Sequence, residues 1–369
     1  MSTSTTPQPS GEPEERLENA IELQDVAGLS QGQIVRRRFF RHKGAMVGLA
    51  VLALTALLAL TSVGVGPVPG WWQWTPGETG AVVNAGGAPT LSMPTWLGGD
   101  GFAIGLHPFG QDEIGRDIFA RVMAGVQTSL MVMVIIGGVA AIIGVAVGAT
   151  AGFFRGRADT LLMRATDLVI TIPTIVIGAV VGKLAGGVSG VVFALALGLI
   201  LWTTLARLVR GEFLSLRERE FVDAARVAGA SNLRIIFKHI LPNAIGTLIV
   251  AVTLLMSSAI LLETALSYLG FGIQRPEISL GQLINEYQQA FSTRPWLFWW
   301  PGLFIVIIAL TVNFIGDGLR DAFDPRQKRI PSERKMAKAA AADASAERAR
   351  VSTVRADLDG RNAGLGGGA

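Results

Sequence analysis

The chain is 369 residues long, half of them hydrophobic and 16% charged, with a formal net charge of +4. A soluble chain of this length carries more charge to hydrate its surface, and here the apolar residues gather in runs of about 20, the helical length that crosses a bilayer core. The absence of cysteine excludes disulfides, thiol catalysis and thiolate metal sites; the histidines His42, His107 and His239 are too scattered for a metal cluster, and the cations flank the apolar runs, where they set orientation rather than bind nucleic acid.

Residues 1–35, rich in Ser, Thr, Pro and Glu, read as a disordered tail with no cleavable signal peptide. The basic run Arg36 to Lys43 abuts a first span, about Gly44 to Val63, and holds the N-terminus inside. Residues 64–106 contain no Lys or Arg and hold Trp71, Trp72, Trp74 and Trp96, which predicts an external insert near the membrane surface. A second span, about Ser129 to Gly152, carries small residues that permit close helix packing. The segment Phe153 to Asp167 returns the chain inside, and a third span, about Leu168 to Gly182, is expected to kink at Pro173. A short outer turn, Lys183 to Ser189, leads to a fourth span, about Gly190 to Leu208. A basic inner loop, about Val209 to Asn243, precedes a fifth span from about Ala244 to Leu266. The sixth runs from about Trp296 to Ile315, and the tail beyond it carries Arg320, Arg326, Lys328, Arg329, Arg334 and Lys335. The expected divisions are a tail at 1–43, a span at 44–64, an extracytoplasmic insert and pre-helix segment at 65–125, a five-helix core at 126–317 with its loop at 209–243, and a tail at 318–369.

The inner loop holds the densest signal. Glu220 to Ala228 are good helix formers, Gly229 can take the left-handed geometry that stops a helix, Ser231 can cap a second short helix, Asn232 to Ile240, and Pro242 is expected to end it. Ala224 and Ala225 leave a flat surface for close approach by another protein, though a surface loop with ordinary capping has the same spacing. On the opposite side, Leu280, Leu283, Ile284, Tyr287 and Phe291 share one helix face. This predicts an amphipathic helix across the outer mouth, either a lid packed on the bundle or, with segment 107–117, a docking surface. Glu263 lies near the outer end of the fifth span, where a charge is costly, so it faces either a translocation path or a neighbouring helix. No phosphate-binding loop occurs; Gly182-Lys183 is followed by Leu.

The order Asp223, Ala224, Ala225, Gly229, Leu241, Pro242 resembles the E-A-A-x-x-x-G…L-P loop of binding-protein-dependent ABC importer permeases, with Asp in place of the commonest Glu and His239 where many members have Ile. The segment His107 to Asp117 is similar to the H-P-L-G-T-D-x-x-G-R-D of dipeptide and oligopeptide permeases, departing at Phe109 and Gln111. Gly125 to Leu130 resembles the following G-A-R-x-S-L with Gln127 for Arg, and Leu266 to Gly272 resembles L-S-F-L-G-L-G. Asn313 to Asp321 and Asp324-Pro325-Arg326 match the close of the family domain. The resemblance spans about Arg36 to Arg326 and leaves out the insert and both tails.

It implies an all-α membrane protein of the type I ABC importer permease fold, with six transmembrane helices and both termini cytoplasmic, in the inner membrane of a bacterium. The chain would be the second, C-type permease of a dipeptide or oligopeptide importer, binding no cofactor or metal and catalysing no reaction itself. Its implied partners are a homologous permease, two ATPase subunits that bind ATP and Mg, an extracytoplasmic substrate-binding protein, the peptide and membrane lipid. Phe221, Val222, Asp223, Ala224, Ala225, Ala228, Gly229, Ala230 and Ser231 are the expected ATPase-coupling loop. Asp112, Gly115, Arg116, Asp117, Gln282 and Glu286 are the expected docking residues, and Glu263 is the candidate for the path. Nickel chelates and glutathione are cargoes of the same family. A secondary transporter and a membrane scaffold are the readings from other classes.

Overall fold

The computed structural model describes residues 31–323 except Met93, Gly98, Asp100 and 185–188, and residues 38–323 form one compact unit. Of the expected tails, residues 1–30 and 324–369, including Asp324-Pro325-Arg326 and the basic residues after it, lie outside the described residues, as do residues 185–188 of the expected turn Lys183 to Ser189. Residues 31–35, expected to be disordered, are instead helical, continuing into the basic run as one helix, and residues 318–323 continue the last helix. A helix, α1 (Gln31–Arg41), precedes α2 (Lys43–Ser62), which begins where the His42 ring accepts from the Ala45 N–H at 3.0 Å. A two-residue hairpin, β1 (Gly64–Val65) with β2 (Val68–Pro69), opens the insert. Then come α3 (Ile118–Phe154), α4 (Gly156–Thr171), α5 (Thr174–Leu184), α6 (Gly190–Arg217), α7 (Glu220–Val227), α8 (Asn232–Tyr268), α9 (Leu280–Tyr287) and α10 (Trp296–Phe323).

Among the described residues, α2, α3, α6, α8 and α10 are each long and apolar enough to cross a bilayer, and the pair α4–α5 adds a sixth crossing if taken as one broken span. The third expected span is therefore two helices meeting at 79°. Pro173 sits in the break rather than in a kink, because its ring and missing N–H oppose continuation of α4. The long helices also overrun the expected spans. α3 starts at Ile118, where the Asp117 carboxylate accepts from the Ala120 N–H at 2.8 Å, and α6 continues to Arg217. Pro242 does not end a helix either. The stretch Ile235–Ile240 is wound as a π-helix, which shifts the hydrogen bonding so that proline falls in the first turn of the α-helical run that follows, where its absent N–H costs nothing.

Small residues set the helix crossings. A side chain added at Gly144 would meet Leu205 and the Trp202 carbonyl, each at 3.0 Å; at Gly148 it would meet Val209 at 2.6 Å, and at Gly152 Phe213 at 2.7 Å. These positions recur every four residues on α3, so its backbone lies directly against α6 along one stripe. Gly48 brings α2 against the Thr311 carbonyl of α10, where an added side chain would stand 2.9 Å away. His42 Nε2 pairs with Asp321 at 3.2 Å and ties the start of α2 to the end of α10.

The buried apolar side chains form three clusters. One gathers Ile118, Phe119 and Met123 of α3 with Leu280, Leu283 and Leu297; a middle one joins Val132, Ile136, Phe193 and Leu197; the last joins Phe153, Val209, Phe213, Val222 and Ile240. At roughly 1.5 Å per residue, α3 is about 55 Å long, with the first cluster at its start and the last at its end.

Gly148→Leu overpacks the α3–α6 crossing and should lower stability by about 1–3 kcal/mol. Gly138→Leu, with nothing within 4 Å of the added side chain in this chain, should be close to neutral. Thermal unfolding of the detergent-purified protein checks the contrast.

Candidate functional site

The expected coupling loop folds from local signals. Helix α7 starts after Arg219 in extended geometry, and Glu220 and Asp223 lie in its first turn, where negative charge favours the helix dipole. Asp223 also pairs with Arg226 at 2.9 Å. At the other end, the Ala230 N–H donates to the Ala225 carbonyl at 3.0 Å and the Gly229 N–H to the Arg226 carbonyl at 2.9 Å. This is a Schellman stop, and Gly229 supplies its left-handed residue with φ +78°. Ser231 then caps the next helix by accepting from the Arg234 N–H at 3.4 Å.

The nine expected loop residues divide by face. Asp223, Ala224, Ala228, Gly229 and Ser231 are exposed and Ala230 is half-buried. Phe221 is 38% exposed. Val222 and Ala225 point the other way, into the cluster with Phe213, Ile235 and Ile240, because residues three apart share a helix face. They seat α7 rather than face outward. Sequence reading missed Val227, Leu233 and Phe237, which are 91%, 65% and 63% exposed. The signal was available: these are large apolar side chains on the polar side of an amphipathic turn.

At the far end of α3, the expected docking residues bond mainly to one another. The Asp112 carboxylate accepts from the Arg116 N–H at 2.8 Å, from Arg116 Nε at 2.6 Å and from the Tyr287 hydroxyl at 3.1 Å. Burial pushes the Tyr287 phenol above its ordinary range. The Glu286 carboxylate receives Arg116 at 2.7 Å, Arg121 at 2.8 Å, Arg275 at 2.5 Å and Gln282 at 3.0 Å. Asp117 caps α3, meets His107 Nδ1 at 2.8 Å and accepts from the Trp72 indole at 2.9 Å. Gly115, at φ +80°, lets its carbonyl accept from the Gly80 N–H at 3.3 Å. Gln111, a departure from the resembled segment, bonds Val83, Ala81 and Gly115 and stitches the insert to the helix start. Asp112, Asp117 and Gln282 are buried, and these side chains together form a clasp between α9, the start of α3 and the insert.

Glu263 is fully buried in this chain. Its carboxylate accepts from Ser267 Oγ at 2.7 Å and from Ser129 Oγ at 3.4 Å, and Ser129 Oγ in turn accepts from the Leu280 N–H at 3.3 Å. The group lies between α8, α3 and α9 and reaches no open surface of the chain.

Long apolar helices, with a polar clasp at one end and an outward-facing apolar elbow at the other, mark a multi-pass membrane protein. The chain belongs to the family of binding-protein-dependent transport system inner membrane components, whose model matches residues 144–329. Residues 30–76 match the N-terminal TM domain of oligopeptide transport permease C. The chain is 35% identical over 314 residues to the oligopeptide transport system permease protein OppC of Haemophilus influenzae, covering 85% of this chain and 94% of that one. It is 37% identical over 302 residues to a putative peptide transport system permease protein of Brucella abortus, covering 82% and 94%. Among solved structures, a chain of the inward-facing MetNI methionine ABC transporter shares 20% identity at a TM-score of 0.45, covering 55% of this chain and 97% of that one.

Glu286→Ala leaves Arg116 and Arg121 partly or wholly buried without their shared carboxylate and should destabilise the folded protein by about 3 kcal/mol or more. Arg275→Ala removes a partner that is 65% exposed and should cost under about 1 kcal/mol. Thermal unfolding of both variants beside the parent protein measures the difference.

Proposed function

We propose that this chain is the C-type permease of an ABC importer that moves dipeptides and oligopeptides across the bacterial cytoplasmic membrane, driven by separate ATPase subunits. Its family supports the transport role, and its similarity to peptide permeases over 82–85% of the chain supports the cargo. The carrying observation is the coupling loop: α7 is seated by Val222 and Ala225, stopped by Gly229, and presents Phe221, Val227, Leu233 and Phe237 outward. An apolar face of this kind on a cation-rich loop fits a groove on a soluble partner.

In this reading the chain crosses the membrane six times, with α4–α5 as the third crossing, and both ends are cytoplasmic. A homologous permease completes the path between them. An extracytoplasmic binding protein delivers the peptide at the outer end, where the clasp holds α9 over the bundle. Two ATPases bind ATP and Mg, close on each other and displace the coupling loops, so that the bundle alternates between outward and inward access. No bond is made or broken in this chain. Its seated helix converts a displacement of the ATPase into a displacement of α6 and α8.

Gly229→Val tests this directly. An added side chain at Gly229 meets nothing within 4 Å, so the effect is confined to its left-handed backbone, a strain of about 1–2 kcal/mol. The variant should reach the membrane, keep ATP hydrolysis in the complex, and lose at least tenfold of labelled-peptide uptake. Unchanged uptake would sink the proposal.

A further inference from the structure

Helix α4 is poorly held by apolar contact: Thr166 is the only buried residue in it. It is held instead by charge. Arg210 of α6 grips Asp159 of α4 with two bonds, Nε to Oδ1 at 2.5 Å and Nη2 to Oδ2 at 2.7 Å. One turn earlier, Arg207 reaches Asp167 at 2.5 Å. Two turns later, Arg217 donates to the Phe153 carbonyl at the end of α3 and lies with its guanidinium 5.8 Å from the Phe153 ring. Positions 207, 210 and 217 fall on one face of α6, since spacings of three and seven both return to the same side of a helix. Beside them, at the α3–α4 corner, Arg155 pairs with Glu218 at 2.6 Å, and Glu218 and Arg219 are the two residues linking α6 to α7.

We infer that Arg207, Arg210 and Arg217 are positioning residues for transport: a ladder on α6 that makes the bent α4–α5 pair and the end of α3 follow the coupling helix. This rests on the coupling-loop reading and extends it. Three facts support it. The α3–α6 stripe at Gly144, Gly148 and Gly152 already makes those two helices one body. A two-residue link gives α7 little slack relative to α6. A forked guanidinium–carboxylate pair fixes orientation as well as distance, so Arg210 transmits rotation where a single contact would not. The ladder acts as a rigid tie, so the arginines do not need to break and re-form during the cycle.

A rigid tie has an unusual signature: a covalent bond should replace it. The chain has no cysteine, so the double variant Asp159→Cys with Arg210→Cys carries a single possible disulfide. The experiment reconstitutes the complete importer, with sister permease, ATPases and binding protein, in liposomes and follows uptake of a labelled tripeptide and ATP hydrolysis with and without reductant. Oxidised, the variant should import at a rate within about twofold of the parent complex. Reduced, it should lose at least tenfold of uptake while the ATPases stay bound and hydrolysis continues. Full uptake in the reduced state, or a block in the oxidised state, would overturn the inference. So would loss of the ATPases on reduction, which would make the arginines docking residues and leave the coupling-loop reading standing. If no disulfide forms, the exchanged pair Asp159→Arg with Arg210→Asp decides: uptake restored relative to Arg210→Asp alone supports the tie, and no restoration overturns it. A parent complex that imports without any ATPase would remove the coupling-loop reading and this inference together.

Discussion

Everything at the loop end of the molecule depends on the seating of one eight-residue helix. A helix this short has little stability of its own in water, because nucleation costs more than two turns of hydrogen bonds return. α7 is held because Val222 and Ala225 drop into an apolar floor made by Phe213 of α6 and Ile235, Ile236 and Ile240 of α8. The floor belongs to two long helices at once, so α7 rests on both. The same two residues decide which side of α7 stays free, with Phe221 and Val227 left exposed.

The opposite end is built on a different principle. There the anchors are charges, and their partners are distant in sequence. Glu286 on α9 takes up Arg116, Arg121 and Arg275 together, while Asp112 joins Arg116 to Tyr287. Buried charges are costly unless paired, and Asp112 and Glu286 each meet an arginine, which makes the clasp specific in geometry. A single helix, α3, runs from the clasp to the floor under α7, and its glycine stripe fixes α6 beside it along the lower part of its length. The two ends are therefore mechanically joined through packed backbone.

The loop was legible in the sequence because its signals are local. A left-handed glycine and a serine cap act over four or five residues, and both are found where the pattern placed them. The helix limits were less legible. Hydropathy reports where lipid would begin and end, whereas α3 and α6 keep their hydrogen bonding past that point, to Asp117 at one end and Arg217 at the other. Pro173 and Pro242 show the limits of reading proline alone: one breaks a helix outright, and the other is absorbed by a π-turn. The clasp was only half legible. Its residues in the 107–117 segment were picked out by motif and those on α9 by helical period, but the bonds Arg116–Glu286 and Asp112–Tyr287 join residues 170 and 175 positions apart, and no local spacing carries that information. The inward turn of Val222 and Ala225 follows from their three-residue spacing, which a contact-loop motif does not carry.

The central claim is that the face of α7 bearing Val227 meets a nucleotide-driven partner on the cytoplasmic side. In this cysteine-free chain, Val227→Cys places one thiol on that face. Crosslinking with a short bifunctional thiol reagent in membranes containing the whole importer, beside labelling of intact cells with a membrane-impermeant maleimide, reads both partner and side. The account predicts a crosslink to an ATPase subunit and no labelling until the cells are opened. Labelling of Val227→Cys in intact cells, or no crosslink to the ATPase in a complex that transports, would contradict it.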